Sequence, residues 1–396
     1  MLKMFNYSKV LYYSLRRDGM QKTFGKLFTK YSPCAQRKYK MQYEQFVRKI
    51  SLNAKIAVLF TSVLYEKDMN QRPINCSKYL VSKGYTVLFI LWRWSPNHVV
   101  DGAFTEVDRK TFFLPLYSLD LSQLTSVKEI IGICAMVNPF LTGLMQQIKQ
   151  FGGKTYYDIY DDWENFKRVG FADWYPGRAG EEQLITIVDK VSAVTKSLAD
   201  KFREVRRDII ISPNGFDFDV VGRDNRSIAK PINDEIVIGY FGHLTSKWIN
   251  WQFVFNLAKI NKVRVEIIGN EEQPPLLAEF KRYGIRFHGR VPANELYLHV
   301  KGWHFGLAPF ITSQISVAVD PIKIYEYLYY GLTCLVTGIP HLQDYPNTLY
   351  FNDTDELSYQ YLADNHNFSN SKCVDKFLET NTWDKQFNKL FAVSKD

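Results

Sequence analysis

Apolar runs bounded by turn residues alternate with amphipathic stretches along most of this 396-residue chain. The runs predict strands at Ile56–Phe60, Thr86–Trp92, Ile131–Val137 and Lys154–Ile159, with shorter ones at Lys190–Ala193 and Asp208–Ile211. Helical periodicity between them predicts helices over Pro73–Lys83 (stopped by Gly84), after Asn138-Pro139 to Gln150, after Glu181, and over Ser197–Phe202. The polar stretch Gly222–Asp234 reads as a linker, after which the alternation restarts. Strands are expected at Glu235–Phe241, Val263–Ile268, Ile285–His288, His304–Pro309, Thr333–Thr337 and Thr348–Phe351. The helices between and after them fall at 249–260, 275–283, 293–302, 321–330 and 355–363. Strands that are apolar on both faces and alternate with helices imply parallel sheets covered on both sides, here two doubly wound α/β domains. The two ends differ. Residues 1–50 read as amphipathic helices broken near Asp18-Gly19 and Ser32-Pro33, and Lys376–Phe391 is amphipathic through Phe377, Leu378, Trp383, Phe387 and Leu390. The expected division is therefore 1–50, 51–222, 235–375 and 376–396.

Composition narrows the class. With 46% hydrophobic and 23% charged residues the body is globular, and the length suffices for two domains with full cores. The net charge of +9 is local: residues 1–50 hold 12 Lys and Arg against Asp18 and Glu44, while the rest carries 38 basic and 39 acidic residues. Two readings stay open for that basic, aromatic segment: it binds an anionic membrane surface, or it is a helical cap with solvated lysines. Nucleic acid is not expected, since no recognised binding motif accompanies the charge. Five scattered cysteines without a C-x-x-C pair point to a reducing compartment and against a structural metal site. The first residues lack a secretory signal, and the longest apolar run, Ile130–Leu144, is interrupted by Asn138-Pro139 and too short to span a bilayer. A soluble or peripheral protein is expected.

Candidate chemistry collects just after strands. In the 319–337 segment, Asp320 is expected as a helix N-cap, Pro321 as the first helical residue and Gly331 as the left-handed stop. Free N–H groups at such a start attract an anion, and Lys323 and Glu326 share one face near it. A cation and a carboxylate beside an anion site suit a phosphorylated sugar; the plainer reading is a surface pair on a packing helix. In Gly239–Trp248, Gly242 lets backbone approach a ligand and Lys247 can reach a phosphate, although neither a G-x-G-x-x-G fingerprint nor a P-loop is present. A tight turn with a solvated lysine explains it equally. In Tyr157–Glu164, the carboxylates Asp158, Asp161 and Asp162 lie beside Trp163, suited to hydrogen-bonding sugar hydroxyls while the ring stacks on a sugar face. Adjacent acids also raise one another's pKa. Arg72, in Gln71-Arg72-Pro73, either meets an acceptor or phosphate or pairs with a carboxylate at a helix entry. His288, before Gly289-Arg290-Val291, is expected to fill a strand end rather than bind metal.

Asp320–Gly331, D-P-x-K-x-Y-E-Y-L-x-x-G running into a hydrophobic strand, resembles the donor-binding segment of family 4 glycosyltransferases. Pro213-Asn214-Gly215 and Tyr157–Trp163 extend the resemblance, which covers about residues 55–390 and not 1–50. It implies the GT-B architecture, two Rossmann-like domains facing across a cleft, with the last helix crossing back to the first domain. It also implies retaining transfer from a nucleotide-diphosphate sugar to a glycan or lipid-linked acceptor, with no cofactor and no required metal. On that resemblance Glu326 holds the donor ribose, and the helix start at Asp320, Pro321 and Ile322, with Lys323, faces the diphosphate. Gly242, His243 and Lys247 also meet the diphosphate, and Arg290 and Val291 meet the base. Arg72, Asp158, Asp161, Asp162 and Trp163 would line the acceptor side; Glu326, Lys247, Asp161 and Asp162 are the candidates for catalysis. Three departures stand out: His243 replaces the usual arginine, Ala318 stands where the first glutamate of E-x7-E belongs, and Tyr and Asp stand where many members carry a histidine. The implied setting is cell-surface polysaccharide or glycoconjugate synthesis, in the cytoplasm and peripheral to the inner membrane face. A catalytically silent binding subunit and a nucleotide-sugar epimerase of the same shape are the alternatives.

Overall fold

The computed structural model describes residues 33–50, 53–67, 69–92, 104–172, 174–222, 235–270, 274–352, 357–366 and 371–392. The amphipathic helices expected before residue 33 and the linker expected after Gly222 lie outside these residues. In chain order the elements begin with α1 (Pro33–Lys49), β1 (Lys55–Thr61), α2 (Arg72–Ser82), β2 (Tyr85–Leu91), β3 (Glu106–Asp108), β4 (Thr111–Pro115), β5 (Glu129–Cys134), α3 (Leu141–Gln150) and β6 (Lys154–Ile159). Next come α4 (Trp163–Arg168), α5 (Arg178–Ile187), β7 (Lys190–Ala193), α6 (Lys196–Lys201), β8 (Ile210–Ile211), α7 (Phe218–Val221), β9 (Ile236–Phe241), α8 (Trp251–Ala258) and β10 (Val263–Ile268). The chain finishes with α9 (Pro274–Arg282), β11 (Arg286–Phe287), α10 (Leu296–Val300), β12 (Phe305–Pro309), α11 (Ile322–Tyr329), β13 (Thr333–Thr337), β14 (Thr348–Phe351), α12 (Tyr359–Asn365), α13 (Ser371–Thr380) and α14 (Trp383–Phe391). Packing divides the chain into two compact units. The first takes the chain up to Lys67, Ser77–Asp158 and Ala179–Asp189; the second takes Asp68–Cys76, Ile159–Arg178 and the chain from Lys190 on.

In the first unit the strands run in the order β3-β4-β2-β1-β5-β6. The central strand β1 pairs in parallel with β2 from Lys55↔Tyr85 and with β5 from Lys55↔Glu129. Every residue of β1 after Lys55 is buried, as a strand covered on both faces requires. The antiparallel β3–β4 pair was not foreseen. It is a tight reversal through Arg109-Lys110, with Lys110 at φ +50°, and β3 is too short and polar to show an apolar run. The C-terminal part of α1 packs here as a cap: Tyr43 is buried and donates to the Asp120 carbonyl at 3.0 Å, and Phe46 meets Phe112 at 4.9 Å between ring centres.

The second unit carries a wholly parallel sheet in the order β11-β10-β9-β12-β13-β14. Counted from β9 this is 3-2-1-4-5-6, the Rossmann order, whose switch point lies between β9 and β12. Side chains alternate between two cores. Ile236, Ile238 and Tyr240 of β9 pack with Phe253, Val254 and Leu257 of α8. Val237 and Phe241 pack with Ile324, Tyr327 and Leu328 of α11. The β9–β12 ladder is limited to Phe305↔Ile238 and Gly306↔Gly239. Tyr327 fills the gap beyond it. Its ring lies so close over Gly306 that a Cβ there would meet it at 2.3 Å, and its hydroxyl donates to the Leu307 carbonyl (3.2 Å) and accepts from the Phe241 N–H (3.3 Å).

The expected continuous Lys376–Phe391 segment is broken into α13 and α14 at Asn381-Thr382. The side chains of Thr380 and Asn381 donate back to the carbonyls of Lys376 and Phe377, both at 2.8 Å, and the Asn381 carbonyl accepts from the Phe216 N–H at 2.8 Å. Side chains that bond their own turn compete with helix continuation.

Candidate active site

In a doubly wound sheet ligands sit outside the carboxyl ends of the strands at the switch point. Here that position is built from the turn after β9 and the first turns of α11. The turn depends on Gly242, at φ +138°, where a side chain is strained and a Cβ would lie 2.8 Å from Lys323 Nζ. The Tyr240 hydroxyl fixes the turn by donating to the His243 carbonyl at 2.8 Å, and the Tyr240 ring centre lies 4.0 Å from Lys323 Nζ. The Lys323 ammonium thus rests on an aromatic face beside bare backbone, with no hydrogen-bond or ion-pair partner among the described residues. Desolvation lowers its pKa to about 7, although the side chain keeps some exposure. One turn along, Glu326 is 8% exposed and accepts from Asn70 Nδ2 at 3.0 Å. Burial pushes its carboxyl up to about 7, against the opposing pull of Asn70 and Lys323. A cation and a carboxyl, each poised near neutrality and set three residues apart, can answer an anion and a hydroxyl respectively.

The helix start differs from expectation. Helix α11 opens at Ile322 with Pro321 as its capping residue, and no side chain caps it. Asp320 is buried and turned elsewhere: one carboxylate oxygen accepts from the Asn214 N–H (2.6 Å) and Tyr325 hydroxyl (2.9 Å), the other from the Tyr345 hydroxyl (3.0 Å). It therefore ties the Pro213-Asn214-Gly215 turn to α11, leaving the N–H groups of the first turn uncapped by a side chain. Gly331 takes the expected left-handed stop at φ +73°.

The acidic segment separates its carboxylates. Asp162 caps α4, accepting from the Asn165 N–H at 3.2 Å, and pairs with Lys201 at 2.6 Å. Asp161 has no hydrogen-bond or ion-pair partner among the described residues. Desolvation, with Asp162 adding to it, raises its pKa to about 8. Trp163 is buried, with its ring against Tyr160, Phe166 and Trp174, so its face is closed to a stacking sugar. Asp158 is buried in β6, in the first unit.

Arg72 also has a structural post. It is buried, donating to the Pro213 carbonyl (2.9 Å) and Ser212 Oγ (3.1 Å), with its guanidinium 5.2 Å from the Phe387 ring centre and 5.9 Å from that of Trp383. An arginine so enclosed clamps the turn rather than meeting an acceptor. Lys247 donates to the Val169 carbonyl and lies 4.3 Å from the Phe171 ring centre, while His243 sits in the same cluster near Phe171 and Trp248. The cation at the Gly242 turn is therefore Lys323. Arg290 is exposed, Val291 packs partly against the core, and His288 bonds the buried Glu266 at 3.1 Å, a strand-end role. Three residues escaped the sequence reading: Tyr240, Tyr327 and Asn70. The first two read as ordinary core aromatics, and no local pattern links Asn70 to a residue 256 positions away.

Among the described residues no group of His, Cys, Asp and Glu is arranged to hold a metal ion, and no helix is long and apolar enough to cross a membrane. No family model matches the chain, and no curated protein is similar to it in sequence. Solved structures are. A glycosyltransferase from Rickettsia africae superposes with TM-score 0.56 at 13% identity, over 85% of this chain and 97% of its own. WaaG, a glycosyltransferase involved in lipopolysaccharide biosynthesis, gives 0.56 at 10% identity, over 85% and 100%. Anabaena HepE, in complex with UDP-glucose, gives 0.51 at 14% identity, over 84% and 93%. With its two α/β sheets and this likeness over nearly the whole length, the chain has the GT-B glycosyltransferase fold.

Proposed function

We propose that the protein is a retaining glycosyltransferase that moves a sugar from a nucleotide-diphosphate donor to a glycan or lipid-linked acceptor, in the assembly of a cell-surface polysaccharide or glycoconjugate. One observation carries this reading: Lys323, the Gly242 turn and Glu326 converge at the switch point of a Rossmann-ordered sheet. The diphosphate would lie against Lys323, the Gly242 backbone and the uncapped start of α11, and Glu326 would accept from the ribose hydroxyls. Stabilising charge on the departing diphosphate would be the main catalytic contribution, supplied by Lys323. Asp161 would meet the acceptor as a carboxyl that holds its proton near neutral pH. The substrate class is supported by WaaG, which is involved in lipopolysaccharide biosynthesis, and by HepE, which binds UDP-glucose.

The test is a thermal-shift screen of UDP-, GDP- and dTDP-sugars, since a ligand present at 100 times its Kd stabilises the folded state by about 2.7 kcal/mol. One nucleotide should raise the melting temperature of the wild type and raise it by clearly less in Glu326→Gln. Equal shifts in both proteins would end the proposal. Ala318, at the place of the first motif glutamate, favours a second reading as a binding subunit. That reading requires donor binding with no hydrolysis or transfer, and an epimerase would reveal itself by an altered sugar without acceptor.

A further inference from the structure

Glu326 presents two oxygens, and only one is engaged. Oε1 accepts from Asn70, while Oε2 has no partner among the described residues although the side chain is more than nine-tenths buried. Asn70 itself cannot turn over. Its Oδ1 accepts from Asn75 Nδ2 at 2.9 Å and from the Trp383 indole N–H at 3.0 Å, and Nδ2 donates to Glu326. Flipping the amide would set its NH₂ against two donors and its oxygen against a carboxylate, three repulsive contacts in place of three hydrogen bonds. Asn75 is in turn fixed, donating to the Gln71 carbonyl at 3.0 Å.

We propose that Asn70 is a positioning residue for Glu326: pinned by Asn75 and Trp383, its amide N–H holds one carboxylate oxygen and leaves the other directed to the ligand. The inference rests on the donor-site reading above, to which it adds the group that sets the orientation of the ribose acceptor. A donor hydrogen bond favours the ionised carboxylate, so Asn70 works against the burial that raises the pKa of Glu326. Besides the hydrogen bond from the Asn70 amide, the titratable groups among the described residues that act on Glu326 are Lys323, Tyr327 and Tyr330, all on α11 or at its end.

The experiment titrates the Glu326 carboxyl in the ligand-free full chain by difference infrared spectroscopy, its band identified by its loss in Glu326→Gln. Asn70→Ala should move the midpoint upward by about one pH unit, the size expected for one lost hydrogen bond to a charged group. Trp383→Phe keeps the ring but frees the Asn70 amide, and should move it the same way by less. A midpoint unchanged in Asn70→Ala overturns the inference; if that variant does not fold, an unchanged midpoint in Trp383→Phe does so. In parallel, nucleotide-sugar affinity of Asn70→Ala relative to wild type should fall about threefold at pH 7.5 and recover by pH 9, following the ionised fraction of Glu326. Donor binding that ignores Glu326→Gln would instead sink the donor-site reading while leaving the infrared result to stand by itself.

Discussion

Glu326 and Lys323 are drawn toward the same pH from opposite sides, one up from 4.5 and one down from 10.5, and burial is the first cause in both. Donor binding as proposed needs Glu326 ionised and Lys323 protonated. Affinity should therefore peak near pH 7, with an acid limb lost in Glu326→Gln and an alkaline limb lost in Lys323→Met, as calorimetric titration across pH 5.5–9 would show. Stability follows with its own sign. The native state holds an extra proton at Glu326 between about 4.5 and 7, so stability falls as pH rises through that window. The unfolded chain holds the extra proton at Lys323 between about 7 and 10.5, so stability rises there, and Lys323→Met should abolish that rise in melting temperature. The acidic pair divides likewise. Asp162→Asn removes the ion pair to Lys201 while keeping an oxygen to cap α4, so the lost pair should lower the melting temperature. Asp161→Asn breaks no bond between described residues and removes a carboxyl that must take up a proton on folding, so at neutral pH it should raise the melting temperature while reducing turnover.

At the scale of elements, the site depends on how one turn and one short helix are held. Substituting Gly242 with Ala adds a Cβ at φ +138° and 2.8 Å from Lys323 Nζ. It should cost about 1–3 kcal/mol of stability and at least tenfold in donor affinity, measured by denaturant melts and calorimetry. The Pro213-Asn214-Gly215 turn is locked from two sides, by Arg72 on the Pro213 carbonyl and by Asp320 on the Asn214 N–H. Arg72→Ala leaves the Pro213 carbonyl without its donor, while the Ser212 hydroxyl keeps its bond to the Gln386 carbonyl, a loss of about 2 kcal/mol that should lower the melting temperature by about 4–8 °C. If Arg72 served an acceptor instead, the same variant would lose turnover with its melting temperature unchanged.

For the whole molecule, the basic N-terminus is the feature the fold does not explain. The end of α1 is a packed cap, with Tyr43 and Phe46 buried, which is one of the two readings the sequence left open. The other reading, binding to an anionic membrane surface, would then rest on residues 1–32. Deleting residues 1–32 should abolish binding to anionic vesicles in a flotation assay while preserving donor-induced stabilisation; retained vesicle binding would assign it to another surface.

The sequence alone determined the alternation of strands and helices, hence two doubly wound sheets, because each buried strand must be apolar on both faces wherever it lies. It also marked the segment containing Lys323 and Glu326, since residues three apart on a helix share a face in any fold. It missed the β3–β4 reversal and the break at Asn381, where a few side-chain and turn contacts outweigh weak local patterns. Only the tertiary structure decided which charged residues are satisfied by structural partners and which remain for the proposed site. Arg72, Asp320 and Asp162 carry the same charges in sequence as Lys323, Glu326 and Asp161, yet each is satisfied by structural partners. Lys323, Asp161 and one oxygen of Glu326 are left without such partners among the described residues. Burial sets the cost of a charge and distant residues such as Asn70 set its compensation, and neither is written in local spacing.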